Sequence, residues 1–254
     1  NKKKIIKYNN CDVLFLEKKL SYLEDSSISR NIYLKNNSVK EFYKFHKNRE
    51  KKKLSFFNKN IKFKNKKILE SNCGAGIILD ILKKKSKITA GLDSKIYRSH
   101  LISKNHLHYS NFKEIKKSKI KFDIIFSLSE LEHKFNPIQF LKNITQLLAR
   151  NGLILLRVPN YFNIYMFMLG DMYKKFDFRT SHNYYFSIKN LKIFFKKLNL
   201  KIIKYKGMNE YDINHLIEYL KTNKRVNSKK KTNKIFSQKK SMEINKKIDN
   251  SLVS

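Results

Sequence analysis

Glycine occurs six times and proline twice in the 254 residues, cysteine twice and tryptophan never. The two cysteines, Cys11 and Cys73, are too few for a disulfide framework, and neither stands in a metal-ligand spacing, so a reducing, cytoplasmic setting is expected and no metal is assigned. No apolar run approaches the roughly 18 residues of a membrane span. The stretch Val13 to Leu16, behind the basic start Asn1-Lys2-Lys3-Lys4, is too short for a secretory signal and lacks a small-residue cleavage site. Acidic residues are scarce as well: 20 Asp plus Glu face 57 Lys plus Arg, a formal net charge of +37. That excess is 50 Lys and only 7 Arg, accompanied by 28 Asn. Proteins that read phosphates and bases favour the planar fork of Arg, so a lysine excess spread over the whole chain fits a compositional bias at least as well as a nucleic-acid partner. With 41% apolar residues, the chain can bury a core, which excludes global disorder.

Composition divides the chain into a leader, residues 1–60, a patterned domain, 61–220, and a basic tail, 221–254, which reads as a mobile, solvated extension. The leader carries one helix-start signature, Ser38-Val39-Lys40-Glu41, in which Ser38 caps and Glu41 reaches back. Phe42, Tyr43 and Phe45 follow it and are expected to close over a ligand or to cover a sheet. Within the domain the hydrophobic period alternates between strand and helix. Lys67 to Glu70, Ile88 to Asp93, Leu107 to Ser110, Phe122 to Phe126, Gly152 to Val158 and Leu200 to Lys206 read as strands. Ile77 to Lys84, Lys95 to Lys104, Pro137 to Leu148 and Ser187 to Leu198 read as helices. Such alternation predicts right-handed crossovers and a doubly wound α/β domain, a mostly parallel sheet with helices on both faces and ligands at the carboxyl ends of the strands.

The first strand runs into Glu70-Ser71-Asn72-Cys73-Gly74-Ala75-Gly76 and then directly into a helix. Small residues there let the backbone turn tightly and approach a ligand with its N–H groups. Asp93 ends the next strand, where a carboxylate can accept both hydroxyl protons of a ribose. No Lys-Ser or Lys-Thr follows the loop, so a nucleoside-triphosphate P-loop is excluded.

These residues, taken in order with three later segments, resemble the class I S-adenosylmethionine-dependent methyltransferases, and most of all the branch of the ubiquinone-biosynthesis O-methyltransferase and related small-molecule and sugar methyltransferases. The segments are Ile68 to Gly76; Ala90-Gly91-Leu92-Asp93-Ser94; Phe122 to Ser127 with Leu131-Glu132-His133 and Asn136-Pro137; and Leu148 to Asn160. A looser fifth comprises His182 with Tyr185-Phe186-Ser187. The resemblance implies a Rossmann-like sheet of seven strands and S-adenosyl-L-methionine as cofactor. Glu70 and the loop Asn72, Cys73, Gly74, Ala75 and Gly76 would face its methionine end, Asp93 with Ser94 its ribose, Asn111 its adenine, and Ser127 and Leu128 its edge. Asn72 departs from the family's first loop glycine, and since Asn tolerates a left-handed backbone better than most residues, reshaped binding is expected more than its loss.

The chemistry implied is in-line displacement, governed by proximity, alignment and desolvation. A base is needed only where an acceptor hydroxyl or amine must lose its proton; His133 and His182 are the candidates, with Glu132 as an orienting group or metal ligand. Each has a plainer reading: the Glu-His pair shapes a loop, and His182 caps a substrate segment. Tyr161-Phe162-Asn163-Ile164-Tyr165-Met166-Phe167-Met168-Leu169 reads equally as a core helix or as an apolar wall over the acceptor, which favours a small molecule with an apolar part and allows peripheral membrane contact. RNA methylation is the alternative prompted by the charge. A degenerate, non-catalytic nucleotide-binding protein is the alternative prompted by Asn72.

Overall fold

A computed structural model describes residues 5–8, 13–17, 38–57, 61–161, 163–170, 172, 178, 181–207, 213–223, 237, 240 and 243–244. Two short strands, β1 (Ile5–Tyr8) and β2 (Val13–Leu16), precede the leader helix α1 (Val39–Phe57). Its capping box forms as the sequence predicts: Glu41 N–H donates to Ser38 Oγ at 3.2 Å, and Ser38 N–H donates to Glu41 Oε2 at 2.6 Å. Strands and helices then alternate through β3 (Lys67–Ser71), α2 (Ile77–Leu82), β4 (Ile88–Leu92), α3 (Arg98–Ser103), β5 (Leu107–Tyr109), α4 (Phe112–Lys117), β6 (Phe122–Leu128), α5 (Pro137–Thr145) and β7 (Leu148–Arg157). The chain continues with α6 (Ile164–Leu169), the two-residue β8 (Tyr184–Tyr185), α7 (Ile188–Lys197) and α8 (Ile213–Thr222). No helix of the described residues is long and apolar enough to cross a membrane.

The chain forms two compact units, residues 1–6 with 15–159 and residues 7–14 with 160–254. The first holds a five-stranded sheet of order β5-β4-β3-β6-β7, every neighbouring pair parallel. This is the doubly wound α/β architecture that the alternating period demands. Its core gathers Ile68, Ile124 and Phe126 from the strands, Ile78, Leu79 and Leu82 from α2, and Phe42 and Leu54 from α1.

Seven strands were expected, and the central sheet has five among the described residues. Residues 200–206, expected as a strand, join no ladder among the described residues and leave Ile203 76% exposed; an apolar-rich stretch makes no strand without a partner edge to hydrogen-bond. β7 begins at Leu148, four residues before the expected start, because the turn at Asn151 (φ 59°) is absorbed into the strand. The stretch 95–104 is a 3₁₀ turn (Lys95–Tyr97) followed by α3.

In the second unit β8 pairs in a three-stranded sheet of order β1-β2-β8. Ser187 caps α7 in a reciprocal box with Asn190. Tyr165 and Leu169 of α6 pack with Leu216 and Tyr219 of α8 in a small separate cluster. The aromatic stretch is therefore core on that face, while Phe167 on the other is 60% exposed. The expected basic tail lies, apart from residues 221–223, 237, 240 and 243–244, outside the described residues.

Candidate functional site

Strand order fixes where a ligand can sit. The chain winds outward from β3 to β4 and β5 on one side and returns on the other through β6 and β7, so the topological switch point lies between β3 and β6 at their carboxyl ends. Ser71 and Ser127 face each other there in register. Both hydroxyls donate to one buried carboxylate, Glu130, at 3.1 and 3.0 Å, and Lys134 Nζ lies 2.9 Å from the same group. Glu130 thus ties the two strand ends together beneath the site. Ser129 enters the left-handed region (φ 57°) and its N–H donates to the Arg157 carbonyl at 2.8 Å, while the Arg157 guanidinium donates to the Ser129 hydroxyl.

The glycine loop follows β3. Asn72 has φ 61°, Gly74 φ 54° and Gly76 φ 68°, so Asn72 takes the left-handed conformation for which a glycine is the usual choice. Among the described residues, Asn72 is one of six Asn in the eight non-glycine positions with positive φ; in a chain with six glycines, asparagine does glycine's work in the turns. The loop is packed to the limit: a Cβ on Gly76 would stand 2.5 Å from Leu101 Cδ2, and one on Gly91 would stand 2.5 Å from Cys73 Sγ. Cys73 is buried, with its thiol 3.6 Å from the Gly74 carbonyl, and serves as the small packing residue its position suggests.

Asp93, at the end of β4, joins this loop directly. Its Oδ2 accepts from Gly74 N–H at 2.6 Å and its Oδ1 from Ser94 N–H at 2.7 Å. These bonds fix the carboxylate plane at the strand end. Buried His108 braces the end of β4, its Nε2 3.0 Å from the Asp93 carbonyl oxygen and Nδ1 accepting from Arg98 Nε at 3.2 Å; burial lowers its pKa. Glu70, buried, is the penultimate residue of β3, beside Gly91 of β4 and Phe126 of β6. Ser127 and Leu128, both buried, end β6. Asn111 lies after β5, but its side-chain oxygen caps α4 by accepting from Glu114 N–H at 3.0 Å.

The two candidate bases fall in different units. His133, half-buried after β6, has Nε2 4.0 Å from Glu132 Oε1, an electrostatic contact longer than a hydrogen bond. Glu132 is fully enclosed; burial pushes its carboxyl up to about 7, and among the described residues its Oε2 has no hydrogen-bond partner. His182 is buried in the second unit, its ring centroid 5.6 Å from that of Tyr185.

Three residues of this region escape sequence reasoning. Glu130 sits in a stretch that reads only as loop. Lys53 is one of three consecutive lysines on α1, yet it is 7% exposed and pairs with Glu50 at 2.9 Å; burial lowers its pKa. Arg157 ends β7, where an outward-facing charge is the ordinary expectation. A polar residue at or just past the end of an apolar strand is the one sequence cue here, and it covers Arg157 and Glu130 alone. Phe45, which the sequence places beside Phe42 over a ligand or sheet, is instead 56% exposed.

A family model described as a methyltransferase domain matches residues 43–205. No curated protein sequence matches the chain significantly. Among solved structures, an S-adenosylmethionine-dependent methyltransferase from Archaeoglobus fulgidus is 16% identical with a TM-score of 0.50, over 82% of this chain and 91% of that one. Magnesium protoporphyrin IX methyltransferase from Synechocystis PCC 6803, solved with bound S-adenosylhomocysteine, is 12% identical with a TM-score of 0.51, over 74% and 90%. A Haloferax volcanii methyltransferase-like protein in complex with the activator Trm112 is 14% identical with a TM-score of 0.51, over 72% and 78%. At these identities the likeness is one of fold.

Proposed function

The chain belongs to the methyltransferase-domain family, and from that premise we propose that it is an S-adenosylmethionine-dependent enzyme that methylates a hydroxyl, or another nucleophile, of a small molecule with an apolar part, such as a quinone precursor or a sugar. The observation that carries the reading is the Asp93 carboxylate, fixed at the end of β4 by the loop's own Gly74 N–H. A carboxylate offers about four acceptor positions; the two backbone donors take two of them, which leaves others for the hydroxyls of a ribose diol. Asp93 and Ser94 hold the ribose in this reading. Glu70 and the loop 72–76 hold the methionine end, Ser127 and Leu128 line the edge, and Asn111 shares its capping oxygen with the adenine amine. S-adenosylmethionine, when bound, supplies a methyl group already activated by its sulfonium charge.

The chain's own residues then have modest tasks. The carboxylates Glu70 and Asp93 set a negative potential beside a cationic cofactor. Glu130 with Ser71 and Ser127 holds the two strand ends at fixed separation, which serves alignment. For a hydroxyl acceptor, His133 or His182 takes the proton, with buried Glu132 beside His133. Asn72 in the left-handed region supports a competent loop over a degenerate one.

Methyl-labelled S-adenosylmethionine incubated with the pure protein and a panel of hydroxylated aromatic compounds, nucleotide sugars and RNA tests the acceptor class. Label in a small hydroxylated acceptor supports the reading. Label in RNA alone would replace it with RNA methylation, the alternative that the charge of +37 keeps in view; that alternative also requires RNA affinity that falls steeply with salt.

A further inference from the structure

Residues 181–207 of the second unit hold seven lysines and no arginine, aspartate or glutamate. Helix α7 turns Leu191 and Phe194 inward, with the Phe194 ring edge-on to Phe186 at 5.9 Å, and leaves Lys192, Lys196 and Lys197 exposed. Lys192 and Lys196 are four residues apart, a spacing at which like charges disfavour a helix. An anionic partner would remove that repulsion. The segment after α7 joins no ladder among the described residues and alternates exposed lysines, Lys201, Lys204 and Lys206, with Ile203, 76% exposed, and Tyr205, 41% exposed. A shallow groove of about 540 Å³ is lined by both elements, through Lys192, Phe195, Lys196, Leu200, Lys201 and Ile202 among others.

The charge restricts what can cover this face. The chain's own tail, residues 221–254, carries 11 Lys plus Arg against 2 Asp plus Glu, and a second copy carries +37; both repel it. Between anionic partners, the side chains favour lipid over RNA. RNA readers use arginine forks and free aromatic faces, whereas this face has no arginine, and Lys192 Nζ already lies 5.5 Å from the Tyr205 ring centroid. Exposed isoleucine and tyrosine within a collar of lysines suit a membrane interface: the apolar groups enter the headgroup boundary while lysine stems reach outward to phosphates.

We propose that the face formed by α7 and residues 200–206 docks on an anionic lipid surface, with Lys192, Lys196 and Lys201 at the headgroup phosphates and Ile203 inserted beside them. This goes beyond the methyl-transfer reading and does not depend on it, because the face is built without any residue assigned to the cofactor.

Sedimentation of the full chain with vesicles tests it, using phosphatidylcholine alone and phosphatidylcholine mixed equally with phosphatidylglycerol. Wild type is expected to sediment with the mixed vesicles only. Each lysine near the surface contributes roughly fivefold, so the triple variant Lys192→Gln/Lys196→Gln/Lys201→Gln should lose roughly 100-fold in affinity. A control with the same charge change on exposed α1 positions of the first unit, Lys47→Gln/Lys51→Gln/Lys52→Gln, should lose less than about fivefold. Ile203→Ser, which leaves the charge intact, should lose roughly tenfold. All three variants should keep the wild-type urea midpoint, since the replaced side chains are exposed. Equal losses in the two triple variants would show that net charge alone attracts the chain, and would overturn the assignment of this face. Unchanged vesicle binding by Ile203→Ser would overturn insertion. Tighter binding to single-stranded RNA than to mixed vesicles, weakened by the α7 triple variant and untouched by Ile203→Ser, would make the face an RNA surface and overturn the lipid assignment.

Discussion

Gly76→Ala is expected to destabilise the first unit by more than any other one-methyl change in the loop. Two costs combine. The native φ of 68° is left-handed, which costs a residue with a Cβ about 1–2 kcal/mol. The new methyl would also stand 2.5 Å from Leu101 Cδ2; Leu101 is fully buried, so the core must shift, and overpacking of this kind costs about 1–3 kcal/mol. The sum is roughly 2–5 kcal/mol. Gly91→Ala separates the two costs, because Gly91 lacks a positive φ while its Cβ would meet Cys73 Sγ at 2.5 Å and Leu101 Cδ1 at 3.2 Å. It should lose only the overpacking share, about 1–3 kcal/mol. Cys73→Ala removes the sulfur, so the double variant Gly91→Ala/Cys73→Ala should cost less than the two single variants summed, by about 1 kcal/mol. Urea unfolding followed by far-ultraviolet circular dichroism reads all four proteins. A Gly76→Ala cost no larger than that of Gly91→Ala, or strict additivity in the Gly91–Cys73 cycle, would refute the packing geometry assigned to the loop.

Glu132 makes stability depend on pH in the reverse of the usual carboxylate sense. Its folded pKa, about 7, lies above the ordinary 4.5, so the folded protein binds the extra proton and stability falls as pH rises from about 4.5 to about 7. The accumulated loss above that window is roughly 2–4 kcal/mol; Glu132→Gln should recover it at pH 8 and change little at pH 4.5. Equal urea midpoints for wild type and variant at pH 8 would show that Glu132 is not buried as described. Asn72→Ala should cost about 1 kcal/mol, whereas Asn72→Gly should be neutral or stabilising, since glycine adopts φ 61° freely; the opposite order in thermal melts would mean that the Asn72 side chain, not its backbone, matters.

Much of this arrangement is legible in the sequence because it is local. The Ser38–Glu41 and Ser187–Asn190 boxes are three-residue devices, and their helices start as predicted. Asn72 could be placed in the left-handed region from its residue type and its position in a glycine loop. Asp93 follows from being an acid at the end of the second strand of the domain. What escaped is non-local. Glu130 matters through Ser71, 59 residues away, and nothing in the loop sequence announces that partner. Lys53 is hidden by its neighbours: a run of three lysines reads as a solvated face, and only the packing of α1 selects the one that is buried. Residues 200–206 read as a strand but form no ladder among the described residues, since strand formation depends on an available edge. The charge of +37 was the most conspicuous feature and discriminated least, because lysine is spread over helix surfaces that the α/β pattern already assigns to solvent.

Calorimetric titration of S-adenosylhomocysteine into the wild-type chain and into Asp93→Ala tests the central claim most directly. Asp93 stands for two charge-assisted contacts to a ribose, worth about 1.5–3 kcal/mol each, so the account predicts saturable one-to-one binding by wild type and a loss of at least roughly 100-fold in Asp93→Ala. Saturable binding with equal affinity in both proteins, or no binding by a folded wild type, would contradict it.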